Sequence, residues 1–286
     1  MKQQPFFSIV YEDENIIAVN KISGLSVGGE RWEESAQRLD RLLAGGDRAK
    51  LYTVHRIDKE TSGLVVFAKN AETHKQLSAA FESRRVEKTY TAIIHGRPAW
   101  PGGRTECALP LFPDGNKKHL TIIDKYRGKP SQTNFSLLLS AGNYSIVEAR
   151  PLTGRTHQIR VHLAALGHPV VCDLLYGKKT RGGEGVYLSS FKRNWRGDAH
   201  EEKPLLLRLG LHAAKLVLPG PAVFSSGAPH PGAQGETGCN EAGLCLEAPL
   251  PRDMAALVKQ MEKVGMAPVP LPSLALLPSM SFSSWN

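Results

Sequence analysis

Apolar and polar positions change their period several times along the chain. "FSIVYEDENIIAVNK" reads as two short strands, residues 7–11 and 16–20, around a polar turn from Glu12 to Asn15. "RWEESAQRLDRLLAGG" switches to helical spacing through Trp32, Ala36, Leu39, Leu42 and Leu43, and Gly45-Gly46 ends it. "GLVVFAK" is short and branched, the mark of a buried strand. Asn70 then caps a helix whose apolar side carries Leu77, Ala80 and Phe81. "KTYTAIIHG", "YSIVEARPL" and "LGLHAAKLVL" (209–218) predict further strands. "RTHQIRVHLAALGHP" predicts a helix with Ile159, Leu163 and Leu166 on one face and Gly167 and Pro169 as stop signals. "RDMAALVKQMEK" is a short amphipathic helix. The elements alternate without a regular βαβ rhythm. The fold class is therefore α+β, a mixed and largely antiparallel central sheet with flanking helices.

Composition refines the boundaries. Residues 219–243 are rich in Gly, Pro and Ser and nearly uncharged, so they read as a long hairpin loop between two paired strands, with no packed element inside it. The last residues, 266–286, are apolar but interrupted by proline. This leaves one domain at 1–265, a loop insertion and a tail. The four cysteines form no CxxC pair and no zinc pattern, which predicts reduced thiols and no metal. No apolar run reaches the roughly 20 residues of a membrane span, and the N-terminus has no signal-peptide pattern, so the expected address is cytoplasmic.

Charge changes the picture more. The chain carries +9, and residues from Pro219 onward carry −2, which leaves +11 on residues 1–218. A basic body of this kind points to a polyanionic partner, nucleic acid first. The charges are dispersed, so a broad groove fits better than a flexible basic arm.

Two polar segments interrupt the apolar pattern. In "TVHRIDKETSG", His55, Arg56 and Asp58 stand at the mouth of the "GLVVFAK" strand. Taken locally, Asp58 reads as a turn cap or as part of a solvated ion cluster. In "RPLTGRTHQIRVH", Arg160 is flanked by Ile159, Val161 and Leu163, so its guanidinium is expected to be partly buried. A buried guanidinium needs a carboxylate, and Asp58 is one candidate. Helical spacing would set residues 156 and 160 on one face, and 155 and 162 on another.

These motifs, with "KTYTA" between them and "LHA" after them, occur in the order found in the RluA-type pseudouridine synthases, which the chain resembles from about Phe7 to about Leu218 and again at "EAPLPRDM". The resemblance implies that Asp58 is the catalytic aspartate, that Arg56 helps displace and replace the target base, and that Tyr90 is catalytic, packing on the flipped uracil and assisting proton removal. It further implies that Arg160 pairs with the aspartate and that Leu211 lines the pocket. Arg155 is expected to face RNA, and His55 and His157 read as RNA-facing or structural. No cofactor or metal is implied. The implied partner is ribosomal or transfer RNA, bound by a monomer at an unpaired uridine, without the small S4-like RNA-binding domain many relatives carry in front. Three departures stand out: Ile57 replaces the usual Leu, Ile22 the usual Pro, and Cys172 the usual Gly before Asp173.

The implied reaction breaks the C1′–N1 bond of a uridine and rejoins C1′ to C5. It needs Asp58 ionised in a largely dry pocket. Two alternatives remain at this level: a non-catalytic RNA-binding protein on the same scaffold, and a hydrolase using an aspartate or Ser62. No G-x-S-x-G elbow surrounds Ser62.

Overall fold

In this computed structural model the described residues are 5–28, 37–44, 50–114, 120–177, 185–192, 194–198, 200–220 and 243–265, together with the backbone of 237–240. Thirteen strands and four α-helices occur among them. In chain order the strands are β1 (Phe7–Glu12), β2 (Ile16–Lys21), β3 (Tyr52–Thr53), β4 (Ser62–Ala68), β5 (Glu87–His95), β6 (Arg104–Cys107), β7 (Leu111–Pro113), β8 (Thr121–Ile123), β9 (Thr133–Ala141), β10 (Tyr144–Pro151), β11 (Leu211–Pro219), β12 (Thr237–Asn240) and β13 (Gly243–Glu247). The helices are α1 (Leu39–Ala44), α2 (Ala71–Glu82), α3 (Gln158–Ala165) and α4 (Arg252–Val264).

The main sheet runs β1-β2-β4-β11-β5-β10-β9-β6, and every pairing is antiparallel except β4 with β11. That one parallel contact is short, Ser62 opposite His212 and Ala213 opposite Gly63. Beyond it β11 turns its edge to β13, antiparallel from Lys215 to Pro219. The class is α+β, as the pattern predicts.

Alternation along the strands assigns the two faces, because successive side chains point to opposite sides. Leu64 and Val66 pack with Leu77 and Ala80 of α2, while Val65 and Phe67 pack with Leu39 and Leu43 of α1. Ile93 and Ile146 meet Met254 and Leu257 of α4, while Ala92, Ile94 and Val147 meet Ile159 and Leu163 of α3. One face thus holds α2 and α4, and the other α1 and α3. Every residue of β4 is buried, which is why its sequence is an unbroken apolar run.

The expected elements recur with ends shifted by one or two residues, and Asn70 caps α2 by accepting from the Thr73 N–H at 2.8 Å. Three differences are structural findings. The helix expected over 31–46 is seen as α1, with 29–36 and 45–46 outside the described residues. The helix expected over 155–169 begins only at Gln158, because His157 sits at φ 55 and breaks the helical path. The shared faces drawn for residues 155 and 156 therefore do not form. Within the expected loop at 219–243, Thr237–Asn240 is a strand paired to β13; pairing uses main-chain groups alone and so leaves little trace in composition. Residues 221–236 and 241–242 of that loop, and 266–286 of the tail, lie outside the described residues.

Candidate active site

The site grows from the parallel contact between β4 and β11. Gly63 lies at φ +114, and a Cβ there would come within 2.2 Å of the Ala213 carbonyl oxygen. Only glycine permits that approach. The turn before it is closed by the Thr61 N–H on the Asp58 carbonyl at 3.1 Å. A second loop ties the same turn from behind. Lys21 is 1% exposed and its Nζ donates to the carbonyls of Ile22 and Lys59, at 2.9 and 3.0 Å. The Gly24 N–H also reaches the Lys59 carbonyl at 2.9 Å, and Ser23 Oγ donates to that of Glu60 at 2.6 Å. The turn following Asp58 is thereby fixed, without the proline that the family resemblance implies at Ile22. Burial pushes the Lys21 ammonium down to about 7, with the charges of Glu60 and Asp58 pulling the other way.

Arg160 enters from α3, where Gln158 anchors the first turn. Gln158 Nε2 donates to the Gln132 carbonyl and to Thr133 Oγ1, both at 2.9 Å, and its Oε1 accepts from Thr153 Oγ1 and the Arg155 N–H. All four hydrogen-bonding positions of this buried amide are filled. Arg160 itself is 4% exposed. Its Nε and Nη2 each donate at 2.8 Å to the two carboxylate oxygens of Asp173. Its Nη1 lies 3.5 Å from Asp58 Oδ2. The principal partner of Arg160 is thus Asp173, and Asp58 is the third member of a chain. The expected Asp58–Arg160 contact is present but extended: a planar guanidinium offers two parallel donors to one carboxylate and leaves the third nitrogen for another.

Asp173 is held by more than the arginine. Its Oδ1 accepts from the N–H groups of Leu175 and Tyr176 at 2.9 and 3.1 Å. Burial pushes its carboxyl up, but the Arg160 and backbone hydrogen bonds prevail and hold it below the usual range. Tyr176 closes the cluster. Its ring lies 5.1 Å from the centre of the Arg160 guanidinium. Its hydroxyl accepts the Thr121 N–H at 2.9 Å and donates to His157 Nδ1 at 2.8 Å. Burial lowers the His157 pKa, which suits a neutral ring accepting at Nδ1.

Tyr90 lies on β5, at the border between the clusters beneath α1 and α3. Burial raises its hydroxyl pKa, and the nearby charge of Asp58 adds to the rise. Leu211 is 2% exposed and pairs with Ala92 on the same face. Asp58 therefore lies beside Arg160 and within electrostatic reach of Tyr90, and Leu211 shares the apolar cluster against which Tyr90 packs. Arg56 is exposed at the rim, and Arg155 is half-buried beside Pro130. His55 does not face outward: its Nε2 accepts from the Val66 N–H at 2.9 Å and its ring stacks on Phe81 at 4.6 Å. It supports β4 and α2, the structural one of its two sequence readings. His157 turns its Nδ1 inward to Tyr176. The pocket is also wetter than expected, since the Asp58 side chain is 23% exposed. Asp173, Tyr176, Gln158 and Lys21 escaped the sequence reading of the site. The one signal for Asp173 was the need of a buried arginine for a carboxylate. Among the described residues no cluster of His, Cys, Asp or Glu could hold a metal ion.

A scaffold and polar cluster of this kind define an RNA-modifying isomerase domain. The family model for RNA pseudouridylate synthase matches residues 15–165, and the chain belongs to that family. Its relatives place it in the RluA type. It is 33% identical over 226 residues to the dual-specificity RNA pseudouridine synthase RluA of Escherichia coli, covering 78% of this chain and 92% of that one. It is 35% identical over 202 residues to the ribosomal large subunit pseudouridine synthase D of Zymomonas mobilis, covering 67% of this chain and 63% of that protein's length. Among solved structures, human RNA pseudouridylate synthase domain containing 1 superposes with a TM-score of 0.59 at 26% identity, covering 92% of this chain and 98% of that one.

Proposed function

We infer that this chain isomerises uridine to pseudouridine in RNA, with Asp58 as its nucleophilic carboxylate. The observation that carries the role of Asp58 is its placement 3.5 Å from a guanidinium that is itself locked on Asp173. A pure RNA binder on a basic chain has no use for a carboxylate held against a buried arginine. The target uridine must leave its stack, at a cost of a few kcal/mol. Tyr90 offers a face for the extruded ring, Leu211 an apolar wall, and Arg56 on the rim fills the space left behind. A base seated there covers Asp58 and strips its remaining water. The carboxylate then attacks C1′, adds to C6 or takes the C2′ proton. In every case the C1′–N1 bond breaks, the base turns, C1′–C5 forms, the C5 proton leaves and N1 gains one. Atoms balance, so the reaction consumes no cofactor.

The RNA is a ribosomal or transfer RNA, met at an unpaired uridine by a single copy of the chain. The domain spans residues 1–265, and affinity comes largely from phosphate contacts and falls with salt. The test is release of tritium from RNA labelled at uridine C5. Wild-type protein releases label, and Asp58→Asn releases none while its RNA affinity changes little. Normal turnover by that variant overturns the reading. Binding without release by the wild type would favour the non-catalytic alternative.

A further inference from the structure

β7 and β8 form a two-stranded ribbon apart from the main sheet, joined to the site through Thr121 and Tyr176. Just past β8 the chain reads Asp124-Lys125-Tyr126-Arg127-Gly128-Lys129. Tyr126 is 98% exposed, the most open large hydrophobic side chain among the described residues. A tyrosine so placed adds nothing to the core, and yet the turn that carries it is tightly built.

Asp124 organises that turn. Its Oδ1 accepts from the N–H groups of Tyr126 and Arg127, both at 2.9 Å, and its carbonyl from the Gly128 N–H at 2.9 Å. Arg127 Nε returns to Asp124 Oδ2 at 2.7 Å, and the guanidinium covers Phe112 of β7 at 4.5 Å. These hydrogen bonds, the Arg127 N–H first, hold the Asp124 carboxyl below its usual range. Lys129 and Leu111 exchange both backbone hydrogen bonds, at 2.8 and 3.0 Å. Gly128 is required, because a Cβ there would lie 2.2 Å from the Asp124 carbonyl oxygen and 2.8 Å from the Pro110 carbonyl carbon. The aromatic ring is therefore presented on a rigid support, with Lys125 and Lys129 exposed on either side.

We propose that Tyr126 is a stacking platform for an unpaired base of the RNA, flanking the target uridine, with Lys125 and Lys129 taking the adjacent phosphates. This rests on the enzymatic reading of the site. An exposed ring between cations, on a preorganised turn, has the two properties that single-stranded RNA rewards: a face for any base and charge for the backbone. A rigid support also limits the entropy lost on binding. The reach is suitable. Thr121 contacts Tyr176, which packs on Arg160, which faces Asp58. From Thr121, the end of that chain of contacts, the five residues to Tyr126 span at most roughly 17 Å, so the platform serves a base several nucleotides from the target.

The probe is a fluorescent oligouridylate of about a dozen nucleotides, titrated against the full chain at several salt concentrations. Tyr126→Ala should weaken binding roughly 5- to 150-fold, while Tyr126→Phe and Tyr126→Trp bind like wild type, since stacking does not need the hydroxyl. The salt slope of Tyr126→Ala should match wild type. Lys125→Gln with Lys129→Gln should lower it by about 1.4. Wild-type affinity in Tyr126→Ala, or equal weakness in Tyr126→Phe, overturns the proposal. Tritium release by the wild type is scored separately. Its absence sinks the enzymatic reading, whereas unchanged oligonucleotide affinity sinks this one.

Discussion

The two faces of the sheet each carry a bidentate arginine–aspartate pair, and the pairs differ in what surrounds them. On the face of α1 and α3, Arg160 and Asp173 have side chains 4% and 0% exposed. On the face of α4, Arg208 and Asp253 meet at 2.7 and 2.6 Å, but their side chains are 20% and 37% exposed. The outer pair ties the first turn of α4 to the segment entering β11, and Arg208 Nη1 also reaches the Leu209 carbonyl and Ser62 Oγ. The inner pair has a spare nitrogen and turns it on Asp58. The same chemistry is thus an anchor where water shares it and, where the pair is buried, a support for the partly exposed carboxylate proposed to react.

The largest expected effect comes from breaking the inner pair. Arg160→Met leaves the Asp173 carboxylate buried with only two backbone donors, and loss of one partner from such a pair costs about 3–5 kcal/mol. Urea titration should show that loss in the midpoint. Tritium release should fall further, by on the order of 10²–10³-fold, as when one preorganised polar contact leaves an active site. Normal activity in a folded Arg160→Met protein would dissolve the distinction between the pairs.

Acid is the next lever, and it acts mainly on the anchoring face. Burial lowers His212 to about 4 and His55 to about 3. Each ring is neutral in the fold: His212 Nδ1 meets Ser62 Oγ at 3.0 Å while its Nε2 meets the Ala248 carbonyl at 3.2 Å. The unfolded chain binds protons that the folded one refuses, between the ordinary histidine value and these lowered ones. Their contribution is therefore complete above pH about 6.5 and is lost as pH falls towards 4 and 3, at up to about 1.4 kcal/mol per pH unit for each ring. Thermal unfolding followed from pH 7 to 4 should show the decline, and His212→Asn should make it shallower. A stability flat over that range would mean that neither ring is held neutral.

Breaking the outer pair should cost less. Arg208→Met removes a half-solvated contact worth about 1 kcal/mol or less, and kcat should stay near wild type. A loss of kcat matching that of Arg160→Met would show that α4 helps to set the reaction centre.

How far the sequence reveals these features depends on how local their causes are. β4 is legible because all seven of its residues are buried, and Asn70 because a cap is a contact across three residues. Gly63 is visible as a glycine, but its reason, the Ala213 carbonyl, lies 150 residues away. Asp173 is missed as the main partner of Arg160 because the helix, its stop and a left-handed residue intervene, and no periodicity links the two. The structural part of His55 is not legible because its hydrogen bond goes to a backbone N–H, which any residue could supply. Tyr126 looks like any tyrosine until its exposure is measured.

The smallest effect sharpens the comparison at the residue before Asp173. Cys172 sits at φ 57, in the left-handed region, where the family resemblance implies a glycine. A side chain there costs roughly 1–2 kcal/mol in backbone strain. The thiol offsets part of this by burial, since it is 6% exposed and its Sγ lies 3.6 Å from the Leu206 carbonyl oxygen. Cys172→Gly relieves the strain and forfeits the packing, so stability should change by less than about 1 kcal/mol in either direction. Cys172→Val adds β-branching to an unfavourable φ and should be plainly destabilising. If the two variants lose stability equally, packing rather than conformation governs the position. If the valine variant keeps wild-type stability and kcat, the direction in which Asp173 meets Arg160 does not depend on this turn.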